Sequence, residues 1–449
     1  MISILGVHDG HNSGATLLQD GQITYSICEE RLTRNKNEIG YPNKSIDEVL
    51  RLGEINSNQL DKVVYSSKFM HNASHLKNAY EWYKAGKADL LRDSKIESSY
   101  LKAVFDNRKS ERIEQLSDHL NIDHNIIKFH EHHLCHGAAA YFGSPFNLDK
   151  DTLVITCDGA GDGISATVSI ANGSDIKRLA STSRKASLGK IYSRVTYILG
   201  LKPWEHEYKV MGLAPYAEKN YALEIKNILN ELLKLSEDGL NFELCSELET
   251  SYIYDFLREK FECKRFDAIA GGVQMFTEEL LEKWVKSIIK KTGITRVVCG
   301  GGVFMNVKAN KIISEIDQIE EFFVFPSCGD ESLSLGAVWL EYADLMNKNQ
   351  TTKPLQPLNN LYLGGSCVEN NVEKNLESTL NENLSGNQKI SINKSQNISF
   401  DLAKILSLNH VVARCSGEME WGARALGNRS ILANPKDWSN VEKINSKIK

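Results

Sequence analysis

The chain has 449 residues, carries 53 Lys and Arg against 58 Asp and Glu, and has a formal net charge of −5. That length predicts two or three domains, and the slight negative charge argues against nucleic acid or an anionic membrane as a partner. No apolar run is long enough to span a bilayer, no signal peptide is visible, and the nine cysteines form no C-x-x-C pair. These features predict a cytoplasmic protein with reduced thiols.

Two segments of the chain repeat one design. Residues 1–28 contain MISILGVH, an Asp-Gly turn, ATLLQ, a second Asp-Gly and QITYSIC, whereas residues 153–180 contain LVITC, DGAGDG, ISATVSIANG and SDIKRLA. Each copy predicts a strand, an acidic glycine-containing turn, a strand with Ala-Thr, a hairpin and a third strand. Two such β-rich lobes are the architecture of actin-like (ASKHA) proteins. We therefore expect an α/β chain with a duplicated actin-like two-lobe domain over residues 1–350.

Two insertions interrupt the predicted lobes. Residues 68–123 are polar and helix-like, with an aromatic group at Tyr80, Trp82 and Tyr83. They either wall an acceptor pocket or form a surface helical pair whose aromatic side chains pack inward, and the pattern favours the second interpretation. Residues 218–266 are charged, with leucines at helical spacing, and predict a second helical insertion.

A histidine pair and two later carboxylates have the spacing of a metal site. His132 and His136 are four apart, so a helix over HHLCHGAAAYF would place both imidazoles on one face. The strand LVITC leads directly into Asp158, and Asp330 follows the strand EFFVFP. For the histidine pair alone, a histidine-rich helix terminus would be the better interpretation. With both carboxylates, the pattern favours a site for Fe(II), Mn(II) or Zn(II).

A strand, three glycines and a helix follow one another at RVVC, Gly300–Gly302 and VFMNVKANKII. Unpaired N–H groups and the helix dipole converge at such a junction, which predicts an anion site. Earlier in the chain, Glu205, Glu207 and Lys209 precede Gly212 in a charged segment. Spacing alone does not separate a binding loop from an ordinary charged loop there.

Residues 341–360 lose periodicity and predict a linker before a second domain at 361–449. In that domain, Arg424 and Arg429 lie among glycines and suit a bidentate oxyanion or phosphate cradle. The chain continues for about twenty residues past this motif, which is short for completing a domain around it. We therefore expect the second domain to be incomplete.

With these motifs together, the sequence resembles the NodU/CmcH-type O-carbamoyltransferase family over essentially its whole length. The matching stretches are EERLTRNK, HHLCHGAAAYFGSPF, TCDGAGDG, HEYKVMGLAPYA, GGGVFMNVKAN, SCGDESLSLGA and GEMEWGARALGNRSILANP. The resemblance implies an N-terminal domain similar to tRNA threonylcarbamoyl-transfer enzymes and a YrdC-like C-terminal domain. It also implies that the second domain makes carbamoyl adenylate from carbamoyl phosphate and ATP. The first domain would hold this intermediate on a divalent metal and pass the carbamoyl group to a hydroxyl.

The resemblance also assigns roles to individual residues. The metal ligands would be His132, His136, Asp158 and Asp330, with His133 as the competing choice for the first. His8 and Lys36 would lie near the transferred group, and His11 competes with His8 for one role. The nucleotide would contact Asp158, Glu207, Lys209, Gly300, Gly301, Gly302 and Asn306. Carbamoyl phosphate would bind Arg424 and Arg429.

The leading hypothesis is an ATP-dependent O-carbamoyltransferase acting on a sugar or natural product. Fe²⁺ is the expected metal, with Mn²⁺, Zn²⁺ and Mg²⁺ as alternatives. A kinase or ATPase on the same fold is the second hypothesis, although such enzymes hold Mg²⁺ mainly through carboxylates and phosphates. The third is a nucleotide-binding partner that needs another chain for activity. A homodimer is the assembly that we consider.

Overall fold

The computed structural model describes residues 1–366 and 393–447. Residues 367–392 and 448–449 of the predicted second domain lie outside the described residues. The chain divides into two compact units, Met1–Asn359 and Asn360–Lys449.

Two five-stranded sheets form the centre of the first unit. The strands of the first sheet are β1 (Ser3–His8), β2 (Gly14–Gln19), β3 (Gln22–Cys28), β4 (Lys62–Tyr65) and β5 (Ile127–Phe129). Those of the second sheet are β6 (Thr152–Gly161), β7 (Ile164–Asn172), β8 (Asp175–Ser183), β11 (Arg296–Gly300) and β12 (Glu321–Val324). Between β8 and β11 in the sequence, β9 (Leu233–Leu235) and β10 (Phe242–Leu244) form a separate two-stranded hairpin.

Helices cover both sheets. They are α1 (Glu30–Thr33), α2 (Asn43–Leu52), α3 (Ala73–Lys77), α4 (Lys87–Asp93), α5 (Ser98–Leu120), α6 (His132–Phe142), α7 (Leu188–Ile198), α8 (Glu207–Leu213), α9 (Lys219–Leu229), α10 (Tyr254–Phe261), α11 (Phe266–Thr292), α12 (Val307–Ser314) and α13 (Leu333–Asn347). Short 3₁₀ turns lie at Ser57–Gln59, Ala79–Lys84, His124–Ile126, Ala214–Tyr216, Gly302–Met305 and Asp330–Ser332. No helix among the described residues is long and apolar enough to cross a bilayer.

The two sheets have the same topology. Their strand orders are β3-β2-β1-β4-β5 and β8-β7-β6-β11-β12. In each sheet the first three strands pair antiparallel, and the last two run parallel to the central strand. This repetition confirms the duplicated α/β lobes on which the actin-like prediction depends. It also makes residues at equivalent strand positions comparable.

His8 and Asp158 occupy equivalent positions in the two sheets. The Ala-Thr dipeptide that both copies share begins opposite Val7 in the first sheet and opposite Cys157 in the second. His8 and Asp158 are the next residues, so each side chain leaves the same end of its central strand. The two lobes therefore direct an imidazole and a carboxylate to corresponding places.

The acidic turn of the second lobe lies later than the sequence predicts. We expected a strand that ends at Cys157 and a turn that begins at Asp158. Instead β6 continues to Gly161, with irregular pairing to β7 between Cys157 and Gly161. The turn is formed by Asp162 and Gly163, whose φ angles are 49° and 85°. Two consecutive left-handed residues make the tight hairpin turn that matches strand twist, which explains the later position.

The helices α6 and α13 each pack on the sheet of the opposite lobe. α6 follows the last strand of the first sheet but packs on β6 and β11 of the second. α13 follows the last strand of the second sheet but packs on β1 and β2 of the first. The two helices also pack on each other, closely enough that a Cβ at Gly336 would lie 1.9 Å from the Cys135 carbonyl oxygen. The N-terminal ends of both helices consequently meet between the lobes.

The 68–123 insertion is joined to the first lobe by a buried ion pair. Arg112 of α5 donates to both carboxylate oxygens of Asp9, at 2.9 and 2.8 Å, and to the carbonyl of Ser67 at 3.0 Å. Its guanidinium lies 4.1 Å from the centre of the Tyr65 ring. A bidentate pair of this kind is directional as well as strong, so α5 is fixed against the end of β1.

Residues 218–266 are only partly helical, contrary to the helical prediction. The hairpin β9–β10 lies between α9 and α10, and its turn is closed by a Ser236 N–H donation to the Asn241 carbonyl at 2.9 Å. Gly239, with φ of 70°, supplies the left-handed residue of that turn. The leucine spacing that predicts a helix is shared here by short, partly buried strands.

Within residues 360–366 and 393–447, the second unit shows two small antiparallel pairs. The strands described there are β13 (Tyr362–Ser366), β14 (Val412–Cys415), β15 (Glu418–Glu420) and β16 (Arg429–Leu432), and the helices described there are α14 (Ile398–Ser407) and α15 (Ser439–Lys447). β13 pairs with β15, and β14 pairs with β16. The YrdC-like assignment of this unit stays a prediction.

The contact between α6 and α13 can be tested by adding one methyl group. We predict that Gly336→Ala lowers the free energy of unfolding by about 1–3 kcal/mol, because the helices must move apart. Denaturant unfolding followed by circular dichroism measures this change. Gly212→Ala in α8 is the matched control, since a Cβ there meets nothing within 4 Å. Equal stability of the Gly336 variant and wild type would contradict the close packing.

Candidate functional site

Four side chains converge where α6 and α13 begin. Single ligand atoms of His132, His136, Asp158 and Asp330 all lie within 4.8 Å of one another. His132 Nε2 lies 3.6 Å from Asp158 Oδ2 and 3.8 Å from Asp330 Oδ1, and His136 Nε2 lies 3.5 Å from Asp330 Oδ1. This brings together all four residues that the sequence predicts as metal ligands.

Three of these atoms are buried without a hydrogen bond. His132 Nε2, His136 Nε2 and Asp330 Oδ1 have no partner within the described part of the chain. Buried polar atoms in native proteins are nearly always paired, because leaving one unpaired costs the desolvation of that group. Two imidazole nitrogens and a carboxylate oxygen pointing at one another are compatible with a cation between them. The residues present therefore fit a divalent metal ion.

The tautomer of His136 supports the same conclusion. The Ser332 hydroxyl donates to the Gly329 carbonyl at 2.8 Å, so its oxygen is left to accept from His136 Nδ1 at 3.2 Å. With the proton on Nδ1, the lone pair of Nε2 faces Asp330. Metal-binding histidines are commonly oriented by a hydrogen bond of this kind on the other nitrogen.

Backbone groups fix two further ligands, His132 and Asp158. Gly161 passes so close to His132 that a Cβ would lie 2.0 Å from the imidazole ring. The backbone N–H of His132 donates to the Asp162 carboxylate at 2.9 Å, and Asp158 Oδ1 accepts from the backbone N–H of Gly302 at 3.0 Å. Both ligand side chains are thus held before any ion binds.

The two carboxylates of the cluster also favour a cation beside them. Burial and the neighbouring Asp330 carboxylate oppose ionisation of Asp158, but His132 and His136 outweigh them and hold its pKa below the ordinary value. Burial likewise opposes ionisation of Asp330, yet the surrounding histidines hold its pKa well below the usual range. Burial would lower the pKa of His132, but Asp330 and Asp158 raise it to about 9. Two adjacent buried carboxylates are stable only beside a cation.

His133 is engaged elsewhere. Its Nδ1 lies 2.8 Å from the Thr156 hydroxyl, and its Nε2 lies 3.1 Å from the Ile164 carbonyl, to which it donates. Burial, followed by the neighbouring His132 and His136, lowers the pKa of His133 to about 3. Both nitrogens of this neutral ring are committed to the second sheet, which favours His132 over His133 as the ligand.

His8 and His11 approach the other oxygen of Asp330. His11 Nε2 lies 3.1 Å from Asp330 Oδ2, and His8 Nε2 lies 3.8 Å from it. His8 donates from Nε2 to the His11 carbonyl at 3.0 Å, its Nδ1 contacts Ser66 at 3.0 Å, and burial lowers its pKa to about 4. In contrast, His11 Nδ1 is buried and has no partner among the described residues. The geometry therefore leaves His11, rather than His8, with an available nitrogen.

The three glycines after β11 are needed for packing. A Cβ at Gly300 would lie 2.6 Å from the His136 carbonyl oxygen, and one at Gly301 would lie 2.4 Å from the Cys157 carbonyl oxygen. The φ of Gly301 is 94°, which favours glycine independently. Its N–H donates to Cys328 at 2.9 Å, and the Gly302 N–H already binds Asp158. These two N–H groups are therefore not free for an anion, contrary to the simplest interpretation of the motif.

The remaining predicted nucleotide contacts lie on α8 or at the start of α12. Asn306 caps α12 by accepting from the Ala309 N–H at 3.1 Å, and it exchanges hydrogen bonds with Gln274. The residues after Gly301 form a 3₁₀ turn before α12 begins, so the predicted helix over VFMNVKANKII starts later than expected. Glu207 opens α8, and Lys209 lies on that helix.

Lys36 lies at the exposed rim of this region. Its side chain is 66% exposed, and its Nζ lies 3.5 Å from Glu205 Oε2. Glu205 also pairs with Lys202. Lys36 is therefore linked to the segment that leads into α8.

In the second unit, Arg429 holds a loop together. Its Nε donates to Glu420 at 2.8 Å, and its Nη2 donates to the carbonyls of Gly422 and Arg424 at 2.7 and 2.9 Å. Glu420 is buried and also accepts from the Leu426 N–H at 2.8 Å. The Arg424 side chain is exposed.

Several residues that support the site were not predicted from the sequence. Ser332 orients His136, Asp162 anchors the start of α6, and Trp204 stacks on His11 with ring centres 4.7 Å apart. Ser332 lies two residues after Asp330, which was the available signal. Trp204 carried no such signal, because its contact with His11 depends on the fold alone.

Comparison with known proteins gives the family. Residues 3–339 match the family model described as Carbamoyltransferase N-terminus, and residues 403–449 match Carbamoyltransferase C-terminus. An uncharacterized protein of Methanocaldococcus jannaschii is 31% identical over 99% of this chain and 76% of its own length. Nodulation protein NolNO of Sinorhizobium fredii is 26% identical over 98% of this chain and 60% of its own length.

Among solved structures, full-length HypF in its phosphate- and nucleotide-bound form aligns with a TM-score of 0.41. The alignment has 17% identity and covers 77% of this chain and 46% of that one. A likeness at this level carries no conclusion about chemistry.

The chain is therefore an α/β protein with two equivalent lobes. Its buried centre of two histidines and two carboxylates is a candidate metal site of the kind found in enzymes. The family matches give the particular identity. The chain belongs to the carbamoyltransferase family, and it is a carbamoyltransferase enzyme.

We predict that the wild-type chain binds one divalent transition metal ion and that a His132→Ala/His136→Ala variant does not. A ligand at 100 times its dissociation constant stabilises the folded state by about 2.7 kcal/mol, so added Fe(II) should raise the thermal midpoint of the wild type and not that of the double variant. Elemental analysis under anaerobic conditions gives the metal content. His124→Ala, at an exposed position, is the matched control. Equal metal content in the double variant and wild type would remove these residues from the site.

Proposed function

We propose that this chain is an ATP-dependent O-carbamoyltransferase that uses carbamoyl phosphate and acts on a hydroxyl of a sugar or natural product. Carbamoyl adenylate would be the intermediate. The observation that carries the proposal is the placement of Asp330: one oxygen faces the candidate metal ligands, and the other faces an imidazole with an unpaired nitrogen. That arrangement suits activation of a hydroxyl beside an electrophilic carbonyl.

The proposed metal is Fe²⁺, with Mn²⁺, Zn²⁺ and Mg²⁺ as alternatives, held by His132, His136, Asp158 and Asp330. Mixed imidazole and carboxylate ligands suit the first three better than Mg²⁺, which prefers oxygen ligands. When bound, such an ion would stabilise the negative charge that develops on the carbamoyl oxygen during transfer.

The adenylate is proposed to lie against Gly300–Gly302. Gly302 is the half-buried glycine of the three and lies beside Asp158, so it would give the ligand room at this surface. Asn306 would shape that surface through its cap of α12, and Glu207 and Lys209 would lie on its outer side. Gly300 and Gly301 would support this surface through their packing on His136 and Cys157, and Gly302 would allow close approach of the ligand.

Carbamoyl phosphate is proposed to bind Arg424, which is an exposed residue of the second unit. Arg429 would support this site by holding the loop through Glu420, as its hydrogen bonds indicate. In the first half-reaction, carbamoyl phosphate, water and ATP would give carbamoyl adenylate, phosphate and pyrophosphate.

The transfer step would use His11 as the base. Its Nε2–H donates to Asp330 Oδ2, which leaves the Nδ1 lone pair to accept the proton of the acceptor hydroxyl. The acceptor oxygen bonds to the carbamoyl carbon, the bond from that carbon to the AMP oxygen breaks, and AMP leaves. Asp330 stabilises the imidazolium that forms. His8 would orient His11 by donating to its carbonyl, and Lys36 would lie at the rim.

The products of ATP test the proposal. We predict that any ATP turnover by the metal-loaded chain requires carbamoyl phosphate and gives AMP and pyrophosphate, because adenylation cleaves between the α- and β-phosphates. Chromatography of the nucleotides, with a panel of mono- and disaccharides as acceptors and mass spectrometry of the sugars, gives both half-reactions. Formation of ADP and a phosphorylated sugar would instead show a kinase and refute the proposal.

A further inference from the structure

Trp204 has a backbone conformation that is rare for an aromatic residue. Its φ is 66°, in the left-handed region. Among the non-glycine residues with positive φ in the described ranges, it is the only aromatic one; most of the others are Asn or Asp. Small polar residues adopt this conformation readily, whereas a bulky side chain does so against a free-energy cost. Strained residues of this kind cluster at functional sites.

The turn around Trp204 is closed by its own hydrogen bonds. The Trp204 N–H donates to Glu207 Oε1 at 2.9 Å, and burial raises the pKa of the Glu207 carboxyl. The Lys202 N–H donates to His206 Nδ1 at 3.0 Å, and the His206 N–H donates back to the Lys202 carbonyl at 2.9 Å. These bonds hold the strained residue in place.

The Trp204 side chain lies between the candidate site and the helical insertion. Its indole stacks on the His11 imidazole, with ring centres 4.7 Å apart and an interplanar angle of 15°. On the insertion side, Tyr83 meets the indole edge-on at 6.3 Å and stacks on Tyr197 at 5.7 Å. Tyr83 is buried. The indole is thus supported by a packed aromatic group, with His11 on its other side.

Two contacts together fix the orientation of His11. The stacking on Trp204 sets the plane of the imidazole, and the 3.1 Å contact between Nε2 and Asp330 Oδ2 sets its rotation within that plane. Without the indole, the ring could tilt about its contact with Asp330. A misplacement of about 1 Å in a catalytic group can cost roughly 100-fold in rate.

We propose that Trp204 is a positioning residue for carbamoyl transfer. Its strained backbone presents the indole as a platform that holds the His11 imidazole with Nε2 on Asp330 and Nδ1 directed to the acceptor hydroxyl. The catalytic part of this inference rests on the proposed function. The platform itself is a structural claim that can be tested without any turnover.

Three substitutions at Trp204 distinguish the effect of its backbone strain on stability from the effect of its ring on the transfer rate. Trp204→Phe keeps a flat ring against His11. Trp204→Gly and Trp204→Ala both remove the ring, but only glycine adopts positive φ without strain. The glycine variant should therefore melt a few degrees above the alanine variant. Despite this difference, both should lose kcat equally, by roughly 100-fold, whereas the phenylalanine variant should retain most of it. The rate is measured with saturating ATP and carbamoyl phosphate and the best sugar of the panel.

The orientation of His11 is measured independently by chemical labelling. Diethylpyrocarbonate modifies accessible imidazoles, and peptide mass spectrometry gives the rate at each histidine. We expect the labelling rate of His11, relative to exposed His124, to rise about fivefold or more in the glycine and alanine variants, because the indole no longer covers one face. The rate should stay near that of wild type in the phenylalanine variant.

Each outcome decides one part of the inference. Unchanged His11 labelling in all three variants would show that Trp204 is not a platform. Increased labelling with unchanged kcat would overturn the positioning role in transfer. A kcat that follows the thermal midpoint, with glycine well above alanine, would show a merely structural role. If wild type transfers no carbamoyl group, the proposed function and the catalytic role of Trp204 both fail, while labelling still decides whether Trp204 holds His11.

Discussion

The Asp330 carboxylate is surrounded by histidines from two distant parts of the chain. One oxygen faces His132 and His136 at the start of α6, and the other faces His8 and His11 after β1. These histidines reach Asp330 because α6 and α13 each follow the strands of one lobe and pack on the sheet of the other. The close approach of the two helices at Gly336 stabilises this packing. The chemistry therefore depends on a packing contact several residues along α13.

The centre is costly to fold in the absence of a cation. Asp158 and Asp330 lie side by side, and burying each carboxylate in its ionised form costs free energy. The neighbouring imidazoles offset this cost, and the two carboxylates raise the pKa of His132 to about 9. Three buried atoms still lack hydrogen bonds within the described ranges. A divalent ion would satisfy these atoms and both carboxylates together. Strain at Trp204, which stacks on His11, adds a second local cost. Both features are typical of sites selected for function rather than stability.

The sequence predicts those parts of the molecule that local patterns determine. Helical spacing placed His132 and His136 on one face, the repeated strand pattern predicted two equivalent lobes, and strand ends pointed to Asp330. Contacts between distant segments were not predictable in this way. The sequence named His8 with His11 as its competitor, and only the hydrogen bonds of His8 separate the two. The glycine motif suggested anion binding, whereas two of its N–H groups bind within the protein. The hairpin β9–β10 was missed because leucine spacing is ambiguous for short strands.

The central claim is that Asp330 bridges a bound metal and His11. Crystals of the chain grown anaerobically with Fe(II), measured at the iron absorption edge, test it most directly. We expect one anomalous peak about 2.0–2.2 Å from Nε2 of His132 and His136 and from an oxygen of Asp158 and Asp330. The second Asp330 oxygen should keep its contact with His11. A peak coordinated by His133, or displacement of His11 from Asp330 when the metal binds, would contradict this role of Asp330.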